Sequence, residues 1–247
     1  MVSARNHLHE LSGGQSAPQV FQCDDDDYWV LKLLGNPLGR SVLVADWVGA
    51  LLAHNLKVPT PRVEVVNVSD AALATAPSHI QRWARPGPAF GSKWLQQAKT
   101  VSGIVELEGV ENAPVFGRLH VLDVWIEVLD RRKPDLTWNM LIDTSTSRGA
   151  FVAVDFGMSL NEVLHRELSL SSADEELDRF PEVLVQLEDL SERRDAIGLM
   201  DDITEGDLRQ IVSSVPPEWL ESQGLAEGLV QTLVRRKNIV HRLLDVR

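Results

Sequence analysis

A set of polar side chains between residues 130 and 155 is of the types that do chemistry together: Asp130, Asp135, Asn139 and Asp155. Carboxylate and amide oxygens are the ligands hard divalent cations prefer, and a loop carboxylate can take a proton from a hydroxyl. Asp130 and Asp135 bracket the charged run Asp130-Arg131-Arg132-Lys133-Pro134-Asp135. Asn139 falls in the apolar run Trp138 to Ile142, and Asp155 follows another, Ala150 to Val154, opening the tripeptide Asp155-Phe156-Gly157. An acid in a loop, an Asn entering a hairpin and an Asp leaving it are the residue types of the metal-and-base end of a phosphoryl-transfer site. Upstream, Lys32 is the only charge in the run Tyr28 to Leu34, and Gly13-Gly14 sit in the turn-forming cluster Ser12 to Ser16.

Positioning such groups requires particular elements. The apolar spacing of Phe116, Leu119, Leu122, Trp125, Ile126 and Leu129 predicts a helix that ends in the charged loop. The two apolar runs after it, separated by the Ser/Thr/Gly-rich stretch Asp143 to Gly149, predict a hairpin. Nearer the start, His7 to Leu11, Gln19 to Cys23 and Tyr28 to Leu34 read as strands, with Asp24 to Asp27 as a polar turn. The period of two puts Lys32 on one sheet face and Leu31 and Leu33 on the other. Ser41 is the expected cap of a helix over Val42 to Asn55, stopped ahead of Pro59 and Pro61. Asp46 within it is either an ion-pair partner for Lys32 or a solvent-facing acid, with the second reading favoured. Arg62 to Val68 is expected to return as a strand. Pro86-Gly87-Pro88 reads as a boundary between a unit over 1–85 and another over 86–247. Ser92 is expected to cap a short helix, and Glu106 to Pro114 to form a loop. Helices are expected to start at Ser172-Ala173-Asp174-Glu175-Glu176 and to cover Thr204 to Val212 and Leu225 to Val246.

Composition narrows the function. The net charge of −12 argues against a general nucleic-acid binder, which must neutralise phosphates, and against docking on an anionic membrane surface. Arg131-Arg132-Lys133 stands out against that background; it could meet a phosphate or offset the dipole of the preceding helix. Cys23 is the single cysteine, so no internal disulfide forms, and a reducing, cytoplasmic setting is expected. No secretory signal pattern opens the chain. His7 and His9 alternate along one strand and read as surface residues, and the tryptophans as packing residues.

The order of glycine-containing hairpin, strand lysine, apolar helix, linker, helix, acidic loop, Asn and Asp resembles the protein-kinase-like fold. More closely it is similar to the HipA-like kinases and to phosphatidylinositol-kinase-type sites. The residues that carry the likeness are Gly13-Gly14, Val30-Leu31-Lys32, Phe90-Gly91-Ser92-Lys93-Trp94, Asp130-Arg131-Arg132, Asn139 and Asp155-Phe156-Gly157. The resemblance implies an α+β fold of two lobes, a small β-rich one over 1–85 and a mainly helical one over 86–247. It implies ATP and Mg²⁺ as cofactors and a protein Ser or Thr hydroxyl as acceptor. Gly13, Gly14, Lys32 and Asp46 would then serve the nucleotide, Asp155 and Asn139 the metal, and Asp130 or Asp135 the acceptor hydroxyl. Gly157 would permit the sharp turn after Asp155. The chain departs from the usual pattern in three places: Asp130 and Asn139 are nine positions apart rather than five, Arg132 stands where a His is usual, and Asp46 replaces a Glu.

Two other readings start from the same residues. A kinase-fold scaffold would bind nucleotide, or nothing, without turnover. A metal-dependent hydrolase would use Asp130, Asp135, Asp143 and Asp155 as ligands, which leaves Lys32 and Gly13-Gly14 without a role.

Overall fold

The structure is a computed structural model that describes residues 2–11, 16–101, 103–132, 138–165 and 180–244. Gly13, Gly14, Asp135 and the expected helix start at Ser172 to Glu176 lie outside the described residues. The first part of the chain is built from strands β1 (Val2–Glu10), β2 (Gln19–Cys23), β3 (Tyr28–Leu34), β4 (Val63–Val68) and β5 (Arg85–Lys93). They close into a barrel in the order β1-β2-β3-β5-β4. Helix α1 (Ser41–Asn55) connects β3 to β4, and the short helices α2 (Asp70–Leu73) and α3 (Ser78–Gln81) lie between β4 and β5.

Alternation along β3 explains how one strand serves two purposes. Trp29, Leu31 and Leu33 are fully buried within the barrel, whereas Val30 and Lys32 line a cavity outside it. That is the expected two-residue period of a strand. Burial of Trp29 also draws in its polar edge: the indole N–H donates to the Asp25 carboxylate in the acidic turn, at 3.2 and 3.3 Å. Cys23 is buried in the same core, where desolvation, reinforced by Asp25 and Asp24, pushes its thiol up to about 12.

Strand β6 (Ala98–Thr100) and helix α4 (Ile104–Glu108) follow the barrel, then α5 (Phe116–Ile126) and the hairpin β7 (Met140–Asp143) and β8 (Ala150–Ala153). The three strands form an antiparallel sheet in the order β6-β7-β8. Beyond it come α6 (Asn161–Leu164), α7 (Glu182–Val185), α8 (Leu190–Asp202), α9 (Glu205–Ser213) and α10 (Gln223–Leu244). Helix α5 packs against α8 and α10, and its side chains Phe116, Leu119, Leu122, Trp125 and Ile126 are all fully buried. Thr204 caps α9 through a reciprocal box: its hydroxyl accepts from the Asp207 N–H while the Asp207 carboxylate accepts from the Thr204 N–H. This is the start signal the sequence carries. Among the described residues, no helix is long and apolar enough to cross a membrane.

Several local expectations are corrected. Pro86-Gly87-Pro88 lies inside β5 rather than in a linker. The β3–β5 ladder skips from Phe90 to Arg85, so on that side the two prolines, which lack an N–H, fall where the pairing is interrupted, while on the other side Pro88 pairs with Asn67 of β4. Ser92 is likewise a β5 residue paired with Val30 and Val63, and caps no helix. The stretch expected as a loop over 106–114 contains the end of α4 and the start of a 3₁₀ turn, Ala113–Val115. Ser41 is the first residue of α1, and Arg40 before it makes no side-chain capping bond.

Candidate active site

Burial inside α1 decides the fate of Asp46. The helix is apolar all round, so an acid on it has no solvent face to occupy; Asp46 is 1% exposed. The favoured solvent-facing reading is therefore overturned. One carboxylate oxygen lies 2.6 Å from Lys32 Nζ, and the other accepts the backbone N–H of Phe156 at 2.9 Å. Lys32 Nζ also lies 2.8 Å from Asp155 Oδ1. The lysine thus bridges two acids drawn from a helix and a strand end.

Electrostatics in this cluster are set by burial and by the pairing. Burial alone would push the Lys32 ammonium down, but Asp155 and Asp46 more than reverse it and hold the group above its ordinary value. Burial pushes the Asp46 carboxyl up to about 6, with Lys32 pulling it back and Asp155 adding to the rise. A buried charge is tolerated only when paired and hydrogen-bonded, and all three groups meet that condition. Asp155 is the most accessible, with 29% of its side chain exposed.

The turn at Asp155 is a left-handed one, with φ of 58°, unusual for a residue with a side chain. Gly157 was the expected source of the sharp turn, yet its backbone is not in the left-handed region; its role is space. A Cβ there would stand 3.2 Å from both Asp46 Oδ2 and Lys32 Nζ. A second glycine, Gly49 on α1, is needed for the same reason: a Cβ on it would come within 2.6 Å of the Phe156 Cβ. Phe156 is therefore seated directly on the helix backbone beside Asp46.

The other half of the site hangs on Arg131, which is 2% exposed. Its guanidinium pairs bidentately with Asp123 of α5, at 2.8 and 2.7 Å. Nη1 donates to the carbonyls of Asn139 (2.6 Å) and Val154 (3.0 Å). Those carbonyls belong to the two hairpin ends that carry Asn139 and Asp155, so one side chain fixes both. The expectation that Arg131 meets phosphate or offsets the α5 dipole is thereby corrected. The α5 C-terminus is met instead by Arg236 of α10, donating to the Trp125 and Val124 carbonyls at 2.8 and 2.7 Å. Arg132, by contrast, is exposed and stacks over Trp138 at 5.3 Å.

Despite nine positions of separation, Asp130 and Asn139 touch. The Asn139 side-chain nitrogen donates to the Asp130 carbonyl and to Asp130 Oδ2, both at 3.0 Å. With both amide hydrogens so engaged, the amide oxygen is the atom left to serve a cation. Met140 pairs with Ala153, and the N–H of Val154, the residue before Asp155, donates to the Asn139 carbonyl at 3.2 Å, so Asn139 and Asp155, an amide and a carboxylate, belong to neighbouring strand ends. That donor set suits Mg²⁺, which is commonly held by one or two protein oxygens plus phosphate oxygens and water. Asp143, a ligand in the hydrolase reading, ends β7 away from Asn139, and its Oδ1 accepts the Ser145 N–H at 2.9 Å. His7 pairs with Gln19 at 2.8 Å and His9 meets Trp94 edge-on, so neither strand histidine is arranged as a ligand.

Between the barrel and the β6–β8 sheet lies a cavity of about 520 Å³. Val30, Val63, Phe90, Leu141 and Ala153 give it apolar walls, and Lys32, Asp46 and Asp155 line it as well. The HipA-like kinase family matches residues 6–244. The chain belongs to that family. The fold agrees with solved kinases. The Helicobacter pylori proinflammatory kinase CtkA has a TM-score of 0.60 at 13% identity, over 98% of this chain and 96% of that one. The Golgi casein kinase with Mn/ADP bound has a TM-score of 0.53 at 11% identity, over 99% of this chain and 72% of that one. No curated protein matches the sequence.

In this HipA-like kinase, the residues singled out from sequence thus fall into three groups. Lys32, Asp46 and Asp155 converge in one cluster, and Asp130 and Asn139 converge in another. Gly13, Gly14 and Asp135 lie outside the described residues. Sequence reading missed Asp123, the clamp role of Arg131, and Gly49. The signal for Gly49 was present but faint: a glycine inside an otherwise apolar helix, three residues after an acid, has a packing reason more often than not.

Proposed function

We propose that this protein is an ATP- and Mg²⁺-dependent phosphotransferase that transfers the γ-phosphoryl group of ATP to a Ser or Thr hydroxyl of a protein. The observation that carries the reading is Lys32 held between Asp46 and Asp155 beside an apolar-walled cavity of about 520 Å³. The cavity is of the size that takes a cofactor; its apolar walls suit a flat base, and the lysine suits phosphate. The architecture is two-lobed, with the nucleotide between the barrel and the helical part. The first lobe ends after β5 rather than at residue 85, because β5 completes the barrel.

Each side chain then has a defined task. Lys32 offsets phosphate charge in a site from which much water is excluded. Asp155 and the Asn139 amide oxygen would hold the divalent cation, which when bound neutralises charge developing on the phosphate oxygens. Asp130, oriented by Asn139, accepts the proton of the acceptor hydroxyl. Asp135 is the alternative base. Asp46 holds Lys32 and the Phe156 N–H rather than touching nucleotide. Gly13 and Gly14 let backbone approach the phosphates.

The test is thermal unfolding with and without ATP and Mg²⁺, alongside a phosphoryl-transfer assay. A ligand at a hundredfold excess over its Kd stabilises the native state by about 2.7 kcal/mol. A Mg²⁺-dependent rise in Tm that is lost in Lys32→Ala supports the nucleotide site. The same rise without transfer to any protein acceptor supports a nucleotide-binding scaffold, and no rise at millimolar ATP removes the phosphotransferase reading and leaves a scaffold that binds no nucleotide. Asp130→Ala should lower turnover about 10²- to 10⁴-fold; if Asp135→Ala does so instead, the base assignment changes.

A further inference from the structure

The segment between Gly157 and His165 joins the two halves of the site, and its last residue has no part in the chemistry above. His165 is 5% exposed, and its Nε2 lies 3.1 Å from the Gly157 carbonyl oxygen. A carbonyl only accepts, so Nε2 carries the hydrogen. The other ring nitrogen faces the hydroxyl of Ser41, the first residue of α1, at 3.5 Å. The backbone between is held from the opposite side. Asn161 donates its amide to the carbonyls of Met158 and Glu127, both at 3.1 Å, and the Leu160 N–H donates to the Ile126 carbonyl at 2.7 Å. Glu127 is the left-handed cap of α5, three residues before Asp130.

Two residues with side chains adopt positive φ in this stretch, Asp155 at 58° and Leu160 at 55°. Such conformations persist only where the surroundings over-determine them. Asp46 supplies one restraint through the Phe156 N–H; His165 supplies the next, two peptides further on, through the Gly157 carbonyl. The ring is too deeply buried to be replaced there by solvent without rearrangement.

We propose that His165 is a positioning residue: by holding the Gly157 carbonyl against the start of α1, it keeps the left-handed turn at Asp155 and so the aim of its carboxylate. The inference rests on the phosphotransferase reading for its consequence, but not for its geometry. The test is amide hydrogen exchange of the full chain, paired with turnover, for His165→Gln, His165→Asn and His165→Ala. Gln can carry an N–H donor to the Gly157 carbonyl, whereas Asn is too short and Ala has no donor.

The expected result is exchange about tenfold faster at the amides from Phe156 to Asn161 in the Asn and Ala variants, with the Gln variant near the parent. Turnover should follow, with kcat about tenfold lower in the first two and the KM for ATP little changed. Unchanged local exchange in the Asn variant overturns the inference. So does faster exchange spread evenly over the barrel and α5, which is lost stability rather than lost positioning. If the parent shows no phosphoryl transfer, the functional reading fails alone, and the exchange comparison of Gln with Asn still decides the positioning role.

Discussion

Two of the buried ion-pair clusters among the described residues meet about a shared turn, and they are built to different ends. In the first, Lys32 sits between Asp46 and Asp155, and one member, Asp155, remains partly open to the cavity. In the second, Arg131 is closed on all sides, with Asp123 on one edge and two backbone carbonyls on the other. The first presents charge to a ligand. The second holds the backbone that presents it. A planar guanidinium with several fixed donors is suited to the second task, while an ammonium on a flexible stem suits the first. The contrast teaches that a buried charge is a recognition group only where its partners leave a face open.

The largest effect on function should come from the open cluster. Asp155→Ala should lower phosphoryl transfer by about 10²- to 10³-fold or more while the protein stays folded, because Asp46 still pairs Lys32. Activity and Tm on the same preparation check it; activity near the parent's would remove the metal assignment. The closed cluster should behave in the opposite order. Arg131→Leu takes from the buried Asp123 carboxylate the guanidinium that holds both its oxygens, and should destabilise by roughly 3–5 kcal/mol in denaturant unfolding. Replacing Asp123 as well, by Asn, should recover part of that stability, since a buried carboxylate that has lost its guanidinium is then gone. Recovery of full turnover in the double variant would contradict the clamp role, as the Asn139 and Val154 carbonyls would still lack their donor.

Gly49→Ala probes the contact that joins the clusters to α1. Its methyl would meet Phe156 well inside van der Waals distance, and the strain should amount to about 1–3 kcal/mol, with a lowered Tm as the readout. Arg132→Ala should do least. Removing a stacked, exposed guanidinium from Trp138 should change stability by only about 0.5–1 kcal/mol. A loss as large as that of Arg131→Leu would erase the distinction between these adjacent arginines.

That distinction also shows where sequence reading stopped. Lys32, Asp155 and Asn139 were legible because each interrupts or ends an apolar run, and a lone polar residue in such a place needs a reason. Arg131-Arg132-Lys133 looked like one basic cluster, because three neighbouring cations in a loop read alike. Their separation depends on Asp123, eight residues back on α5, and on carbonyls that reach Arg131 only when the hairpin folds against that helix. Asp46 was misjudged for a similar reason: the absence of a polar face on α1 was visible, but its partners lie in β3 and in the turn after β8.

By itself, then, the sequence determined the local elements: the alternation of β3 that separates Lys32 from Leu31 and Leu33, the α5 stripe, the hairpin and the Thr204 cap. Those follow from interactions between residues a few positions apart, where period and capping chemistry suffice. Only the tertiary structure decided that Pro86-Gly87-Pro88 completes a barrel, that Asp46 faces Lys32 and Phe156, and that Arg131 clamps two strand ends. Each depends on which segments meet across long stretches of chain, and burial then fixes whether a charge finds a partner or water.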